Sequence, residues 1–258
     1  GCKGCEVQRL EDIVGDYDNY YRSEKYREDV GQDCDIKSYQ SQHDTEVNYQ
    51  INILPIETYR DKIVADIGCG GGSFLDAMKG FASKTIAVEL NNTSLAKLKE
   101  RGHSCYSSME ELINNGCIRA DIVISQSVIE HVYDPYDFIK KMKKIINDRE
   151  MLIITTPNAN DFLLKSGPLE YKQFFYRKAH KWYFNDKSLS ALMRNVGFSN
   201  FEINYFHTYN LSNALLWMRE RKGLGKNDII NDPACDFSWR NYLVGIGQAE
   251  RLVCIAHN

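Results

Sequence analysis

Three groups of residues in this 258-residue chain have the types and spacing to do chemistry. The first is Asp66-Ile67-Gly68-Cys69-Gly70-Gly71-Gly72-Ser73, where an aspartate and three glycines stand at alternate positions. Glycine adopts backbone angles closed to other residues, and without a Cβ it lets a ligand lie against the main chain. The second is Glu89, which ends the apolar run Thr85-Ile86-Ala87-Val88 and can there accept both hydroxyls of a ribose. The third is a pair of histidines, His131 in Ile129-Glu130-His131-Val132 and His180 in His180-Lys181-Trp182-Tyr183-Phe184. Imidazole titrates near neutrality, which makes both candidates for taking a proton from a substrate.

The elements that must position these residues are read from periodicity. Ile63 to Ile67 is a strand-type run, and Phe74, Leu75, Ala77 and Met78 recur at helical spacing after the glycines. The N–H groups opening that helix would face a ligand held in the turn. A dinucleotide fingerprint starting at Gly68 would need glycine where Ser73 stands, which argues against a nicotinamide-dependent oxidoreductase. Downstream, Leu95 and Leu98 mark a helix, Ser104 to Tyr106 a short strand and Asp121 to Ile124 another strand. Tyr136 to Asn147 is a helix with Lys140, Lys141, Lys143 and Lys144 on a solvated face, and Met151 to Thr155 is the fifth strand. This alternation predicts an α/β fold, a doubly wound, mostly parallel seven-stranded Rossmann-like sheet with helices on both faces.

Residues 1–55 are expected to form an N-terminal helical cap, with Val47, Ile51, Ile53 and Leu54 on one apolar face, and residues 56–258 the main domain. Residues 159–186 read as an irregular aromatic insertion after the fifth strand, leaving from the sheet edge where ligands bind. Tyr21, Tyr176 and Tyr183 are chosen as substrate contacts because tyrosine offers a flat apolar face and one hydroxyl. A helix from Ser188 to Val196, a strand from Phe201 to Phe206, a helix from Leu211 to Arg221, a polar loop over 222–235 and a closing strand from Arg251 to Ala256 complete the chain.

Taken together, Asp66-x-Gly68-x-Gly70-x-Gly72, Glu89 and Ser125-Gln126-Ser127-Val128-Ile129-Glu130-His131-Val132 resemble the class I S-adenosylmethionine-dependent methyltransferases, and Thr156-Pro157-Asn158 resembles the turn ending their fifth strand. The resemblance implies S-adenosylmethionine as cofactor. Its methionine end would lie along Gly68, Cys69, Gly70 and Gly72 with Asp66 near the amino group, its ribose on Glu89, and its adenine between Ser108 and Met109, while Leu90 and Gln126 complete the cofactor contacts. The family commonly has an acidic residue in the place of Ser108. Asp66 also has a bland reading, as a carboxylate capping the helix or bracing the loop. The Glu-His-Val segment is widespread in the family, so His131 is disfavoured as a substrate-specific base, whereas His180 matches a recurrent histidine before an aromatic pair and is preferred. Asp236 and Glu250 are outside choices for binding substrate hydroxyls. An Asn-Pro-Pro-Tyr segment, usual in methylases of adenine or amide nitrogens, is missing, so the expected acceptor is an oxygen or carbon of a small molecule such as a sugar, a sugar nucleotide or a secondary-metabolite intermediate. A non-catalytic cofactor-binding protein is the other alternative.

Composition narrows partners. With 43% hydrophobic residues, a formal charge of -3 and a pI near 6.1, the chain has no field for gripping a phosphate backbone, and nucleic acid is not expected. No apolar run approaches the ~20 residues that span a bilayer, so a cytoplasmic monomer or homodimer acting away from membranes is expected. Eight cysteines in a chain of this size read as thiols, with Cys69, Cys105, Cys117 and Cys254 in the core. Cys2-Lys3-Gly4-Cys5 has zinc-sharing spacing but lacks a second pair nearby, Cys34 being too distant, so no metal is assigned. Some relatives in the resembling subfamily carry a zinc ribbon before a tyrosine-rich segment, here Tyr17, Tyr20, Tyr21 and Tyr26, whose first pair would lie upstream of residue 1.

Overall fold

The computed structural model describes residues 1–11, 17–23, 46–115, 119–223, 229–230 and 232–258. Tyr26, Cys34, Cys117 and the side chain of Tyr17 lie outside these described residues. The strands are β1 (Gln8–Arg9), β2 (Ile63–Ile67), β3 (Lys84–Val88), β4 (Ser104–Tyr106), β5 (Ala120–Gln126), β6 (Ile146–Pro157), β7 (Trp182–Tyr183), β8 (Asn200–Phe206) and β9 (Arg251–His257). Seven of them make one sheet in the order β4-β3-β2-β5-β6-β9-β8, in which only β9 runs antiparallel to its neighbours. The order reverses between β2 and β5, and a crevice opens there at the carboxyl ends of the strands.

The helices are α1 (Tyr17–Arg22), α2 (46–51), α3 (Ser73–Met78), α4 (Asn92–Glu100), α5 (Met109–Asn114), α6 (Pro135–Ile145), α7 (Phe162–Ser166), α8 (Leu169–Phe175), α9 (Asp186–Val196), α10 (Leu211–Glu220) and α11 (Pro233–Gly245). Strand side chains alternate between faces, so β2 sends Ala65 and Ile67 to one core and Val64 to the other. The first core takes Ile139 and Met142 of α6 and Leu189 and Met193 of α9, while the second takes Phe74, Leu75 and Met78 of α3 and Leu98 of α4. Helix starts follow the local chemistry. Asp134 accepts from the N–H groups of Tyr136 and Asp137 ahead of Pro135, and Asn185 and Ser188 cap α9 reciprocally. Gly197, at φ 92°, stops α9 in the left-handed conformation.

Three expectations are corrected. The insertion over 159–186 is not irregular: it holds α7, capped by Asp161, then α8 and β7, and with α10 it builds a third core of Leu163, Leu164, Tyr171, Phe175, Tyr183 and Trp217. The N-terminal segment is not purely helical, because β1 pairs antiparallel with β7 and Glu6 accepts from Asn185 and Lys187. The lysines of α6 do lie on its outer face, where Lys141 pairs with Asp137 and Glu110 and Lys143 donates to the Gly197 carbonyl. The loop read over 222–235 also ends earlier, at α11.

Candidate active site

The glycine turn joins β2 to α3, with Gly68, Gly70 and Gly72 at φ 78°, 55° and 79°. Gly68 and Gly72 are held to glycine by crowding too, since a Cβ on the first would stand 2.6 Å from Val128 Cγ2 and one on the second would meet the Leu98 side chain. Arg101, just past α4, fixes the turn, donating to the Gly71 carbonyl and pairing with Asp76 of α3 at 3.1 Å. Glu89, just past β3, accepts from the Gly70 N–H through Oε2 and from the Asn91 N–H through Oε1, both at 2.8 Å. Asp66 is 3% exposed, and its Oδ1 has no hydrogen-bond partner. Burial, and then the nearby Glu89 carboxylate, push its pKa up to about 8.

A cavity of about 660 Å³ runs from this turn along the crevice. Val88, Glu89, Leu90, Ser108 and Met109 line its outer end, and Gln126, Glu130, His131, Arg177, His180 and Arg251 its inner end. Its size suits a small-molecule site. At the inner end His131 Nδ1 lies 2.8 Å from the Ala179 carbonyl, which only accepts, so Nδ1 carries the proton and Nε2 the lone pair. Tyr21 of α1 donates to the same carbonyl at 3.1 Å and packs edge-on against the His131 ring. The His180 ring is 4.7 Å from that of His131, edge to face. Glu130 Oε2 accepts from Thr156 Oγ1, while its Oε1 is buried without a hydrogen bond and lies 4.0 Å from His131 Nε2. Burial pushes the Glu130 carboxyl up to about 7 and the imidazoles down, His131 to about 4 and His180 to about 2, where His131 and Arg177 add to the effect of burial. Seven buried side-chain atoms without a hydrogen-bond partner belong to six residues of this one cavity: Asp66, Gln126 (both amide atoms), Glu130, Arg177, His180 and Arg251.

A family model described as a methyltransferase domain matches residues 41–203, well over half of the chain. The chain belongs to the methyltransferase-domain family. Its fold is that of the class I S-adenosylmethionine-dependent methyltransferases. Among similar proteins, a ubiquinone biosynthesis O-methyltransferase of Glaesserella parasuis is 29% identical over 108 residues, covering 38% of this chain and 46% of that protein. A probable S-adenosylmethionine-dependent methyltransferase of Mycobacterium tuberculosis is 29% identical over 136 residues, covering 50% and 47%. The chain thus spans about half the length of these curated relatives. Among solved structures, a SAM-dependent methyltransferase from Archaeoglobus fulgidus has a TM-score of 0.57 at 18% identity, covering 91% of this chain and 98% of that one. A magnesium protoporphyrin IX methyltransferase from Synechocystis with bound SAM has a TM-score of 0.55 at 11% identity, covering 96% and 100%.

The methyltransferase cavity gathers most of the residues singled out from the sequence. Asp66, Gly68, Cys69, Gly70 and Gly72, then Glu89, Leu90, Ser108, Met109 and Gln126, and finally Tyr21, His131 and His180 all line it. Ser108 also caps α5, accepting from the Glu111 N–H at 3.1 Å. Asp66 does not cap α3, whose first turn has no side-chain cap. Two of the tyrosines are corrected. The Tyr183 hydroxyl points into the insertion, donating to the Phe175 and Arg177 carbonyls, and Tyr176 donates to Gln8 on the outside, so neither reaches the cavity. Asp236 accepts from the Leu211 N–H, away from the cavity, and Glu250 is buried beside Arg251 rather than solvated. The methyltransferase site also contains residues the sequence reading passed over: Glu130, Arg177 and Arg251. A carboxylate beside a histidine at the end of an apolar run was the available signal for Glu130. The arginines are 74 residues apart and gave none. Among the described residues, no helix is long and apolar enough to cross a membrane.

Proposed function

We propose that the chain transfers the methyl group of S-adenosylmethionine to an oxygen of a small hydroxylated molecule. The observation that carries this reading is the continuity of one cavity from the glycine turn to the Glu130–His131–His180 group. In it, the donor's amino-acid end lies on Gly68 to Gly72 with its ammonium toward Asp66. Its ribose hydroxyls meet Glu89, and its adenine packs beside Met109, a polarizable apolar wall. The methyl then points inward. The sulfonium supplies an activated methyl, so the protein's task is to hold the acceptor oxygen in line with it and to see the hydroxyl proton removed. The acceptor lies against His180, His131 and Tyr21. The ubiquinone biosynthesis O-methyltransferase among the relatives supports oxygen over carbon.

Alone, neither imidazole is well matched to removing that proton, because burial keeps both neutral down to acidic pH. The test is calorimetric titration with S-adenosylmethionine and, separately, NADH, followed by transfer of labelled methyl to a panel of small phenols, sugars and sugar nucleotides. Tight binding of the sulfonium donor and label in a hydroxylated acceptor are expected. Binding of NADH alone, or no label in any acceptor, would refute the proposal.

A further inference from the structure

We infer that the acceptor carries an anionic group, a carboxylate or a phosphate ester, beside its hydroxyl, and that Arg177 is the residue that selects it; this rests on the methyl-transfer reading above. Arg177 and His180 stand three residues apart in the turn between α8 and β7. The turn is held at several points. The Arg177 N–H donates to the Phe175 carbonyl at 3.0 Å, and the Arg177 carbonyl accepts from the His180 N–H at 3.0 Å and from the Tyr183 hydroxyl at 3.2 Å. Both side chains reach the inner end of the cavity, so one small molecule can touch both.

The two arginines of the inner end differ in what already meets them. Arg251 donates from Nη1 to Ser127 Oγ at 2.6 Å, has Glu250 Oε1 3.6 Å from its Nε, lies 5.0 Å from the centre of the Tyr49 ring, and has Glu46 as a second carboxylate nearby. Among the described residues no carboxylate lies within 4.0 Å of the Arg177 guanidinium. Its Nε is buried with no hydrogen-bond partner, and its guanidinium carbon lies 4.7 Å from the centre of the Phe174 ring. Stacking on an aromatic face orients a guanidinium and leaves its N–H edge for a ligand. That edge presents paired donors which match two oxygens of a carboxylate or phosphate, a match that a lone hydroxyl does not make.

The positive charge of Arg177 is felt around it, since it adds to burial in pushing both His180 and His131 down. Seating a neutral acceptor would strip water from this half-buried cation and put nothing in its place, whereas an anion replaces what is lost. Glu130 does not oppose the anion, because burial pushes its carboxyl up to about 7 and near neutrality it readily takes a proton and becomes a donor. His180 Nδ1, buried with no hydrogen-bond partner, is left to meet the acceptor hydroxyl. A ligand with a hydroxyl and an anionic group side by side thus satisfies both side chains of the turn.

The experiment loads the purified chain with S-adenosylhomocysteine and titrates it by calorimetry, at fixed ionic strength near neutral pH, with matched probes: salicylate against salicylamide, and glycerol phosphate against glycerol. At least one anion is expected to bind about 10-fold or more tighter than its neutral partner, and the pair that shows the difference tells a carboxylate from a phosphate. The preference should vanish in Arg177→Gln, fall by less in Arg177→Lys, which keeps the charge without the fork, and stay unchanged in Arg219→Gln on the exposed face of α10. Circular dichroism and an unchanged Kd for S-adenosylhomocysteine establish that each variant is folded, and the lysine variant stands if the glutamine variant is not. No anion binding tighter than its neutral partner, or a preference that survives in Arg177→Gln, would overturn the inference. Failure of S-adenosylhomocysteine to bind counts against the methyl-transfer reading instead, and the anions are then titrated on the unloaded chain, where the same outcomes decide.

Discussion

The placement of Asp66 makes a quantitative prediction about pH. Its carboxyl titrates at about 8 in the empty cavity because burial and Glu89 oppose its charge. Only the ionised form pairs with the donor's ammonium. At pH 6 about 1% of the carboxyl is ionised, at pH 7.5 about a quarter, and so affinity should rise about 20-fold between them. The donor's own α-amino group, with a reference pKa of ~7.7–8.0, stays mostly charged across this window. At pH 7 binding should release about 0.8 proton net, Asp66 losing about 0.9 and the amine taking up about 0.1 to 0.2, read by calorimetry in two buffers of different ionisation enthalpy. Stability of the empty protein runs the other way. Between the ordinary aspartate value of 3.8 and about 8 the folded state binds more protons at Asp66 than the unfolded state, so this group's contribution worsens as pH rises through that range. Asp66→Asn should therefore bind the donor weakly but with no pH slope of this origin, and should resist urea better than the parent at pH 7.5. Glu130 titrates in the same cavity, and the variant separates the two. A slope that survives in Asp66→Asn, or no slope in the parent, would refute the pairing.

Three further outcomes follow from the same geometry. Gly68→Ala combines a left-handed backbone with a Cβ 2.6 Å from Val128 and should cost about 2–4 kcal/mol, read as a lower urea midpoint with unchanged m. In Glu89→Gln one oxygen acceptor becomes an NH₂ donor facing the Gly70 or Asn91 N–H, at ~1–3 kcal/mol, and donor affinity measured by calorimetry should fall about tenfold or more. By unseating the acceptor, His180→Ala should lower the methylation rate ~100-fold while leaving the donor Kd within about twofold, and a collapse of donor affinity would move His180 to the cofactor.

The glycine-turn end of the cavity was legible in the sequence because its signals are local. Alternate glycines after an apolar run, and an acid at the end of the next run, each sit within a few residues of the element that positions them. The inner end is assembled from the ends of β5 and β9, the loop before β7 and α1, and no window of sequence contains it. Aromatic density marked the insertion as important without telling inside from outside. Tyr176 and Tyr183 flank the same turn as His180, yet one faces the third core and the other the N-terminal strand. The two-residue strands β1 and β7 are too short for a period to show. The helices of the insertion did leave a trace, Asp161 before Phe162-Leu163-Leu164 and Pro168 before Leu169, which the run of rings obscured.

The orphaned polar atoms tie the two ends together. A buried donor or acceptor costs about 1–3 kcal/mol unless solvent or a ligand meets it, and seven such side-chain atoms face this one cavity. A fold does not carry that cost where side chains can instead be swapped for apolar ones, so these groups are kept for what meets them. Their distribution says what that is. Asp66 asks for a cation at the donor end, and Gln126, between the ends, offers an amide that both gives and accepts. Glu130 and His180 present acceptors where Arg177 and Arg251 present donors, so the inner end suits a ligand carrying both signs of charge within a few ångströms. The proposed pair, a hydroxyl oxygen gaining negative charge beside the donor's sulfonium, is such a ligand, whereas a neutral apolar acceptor would leave four charged or ionisable side chains facing it unmet.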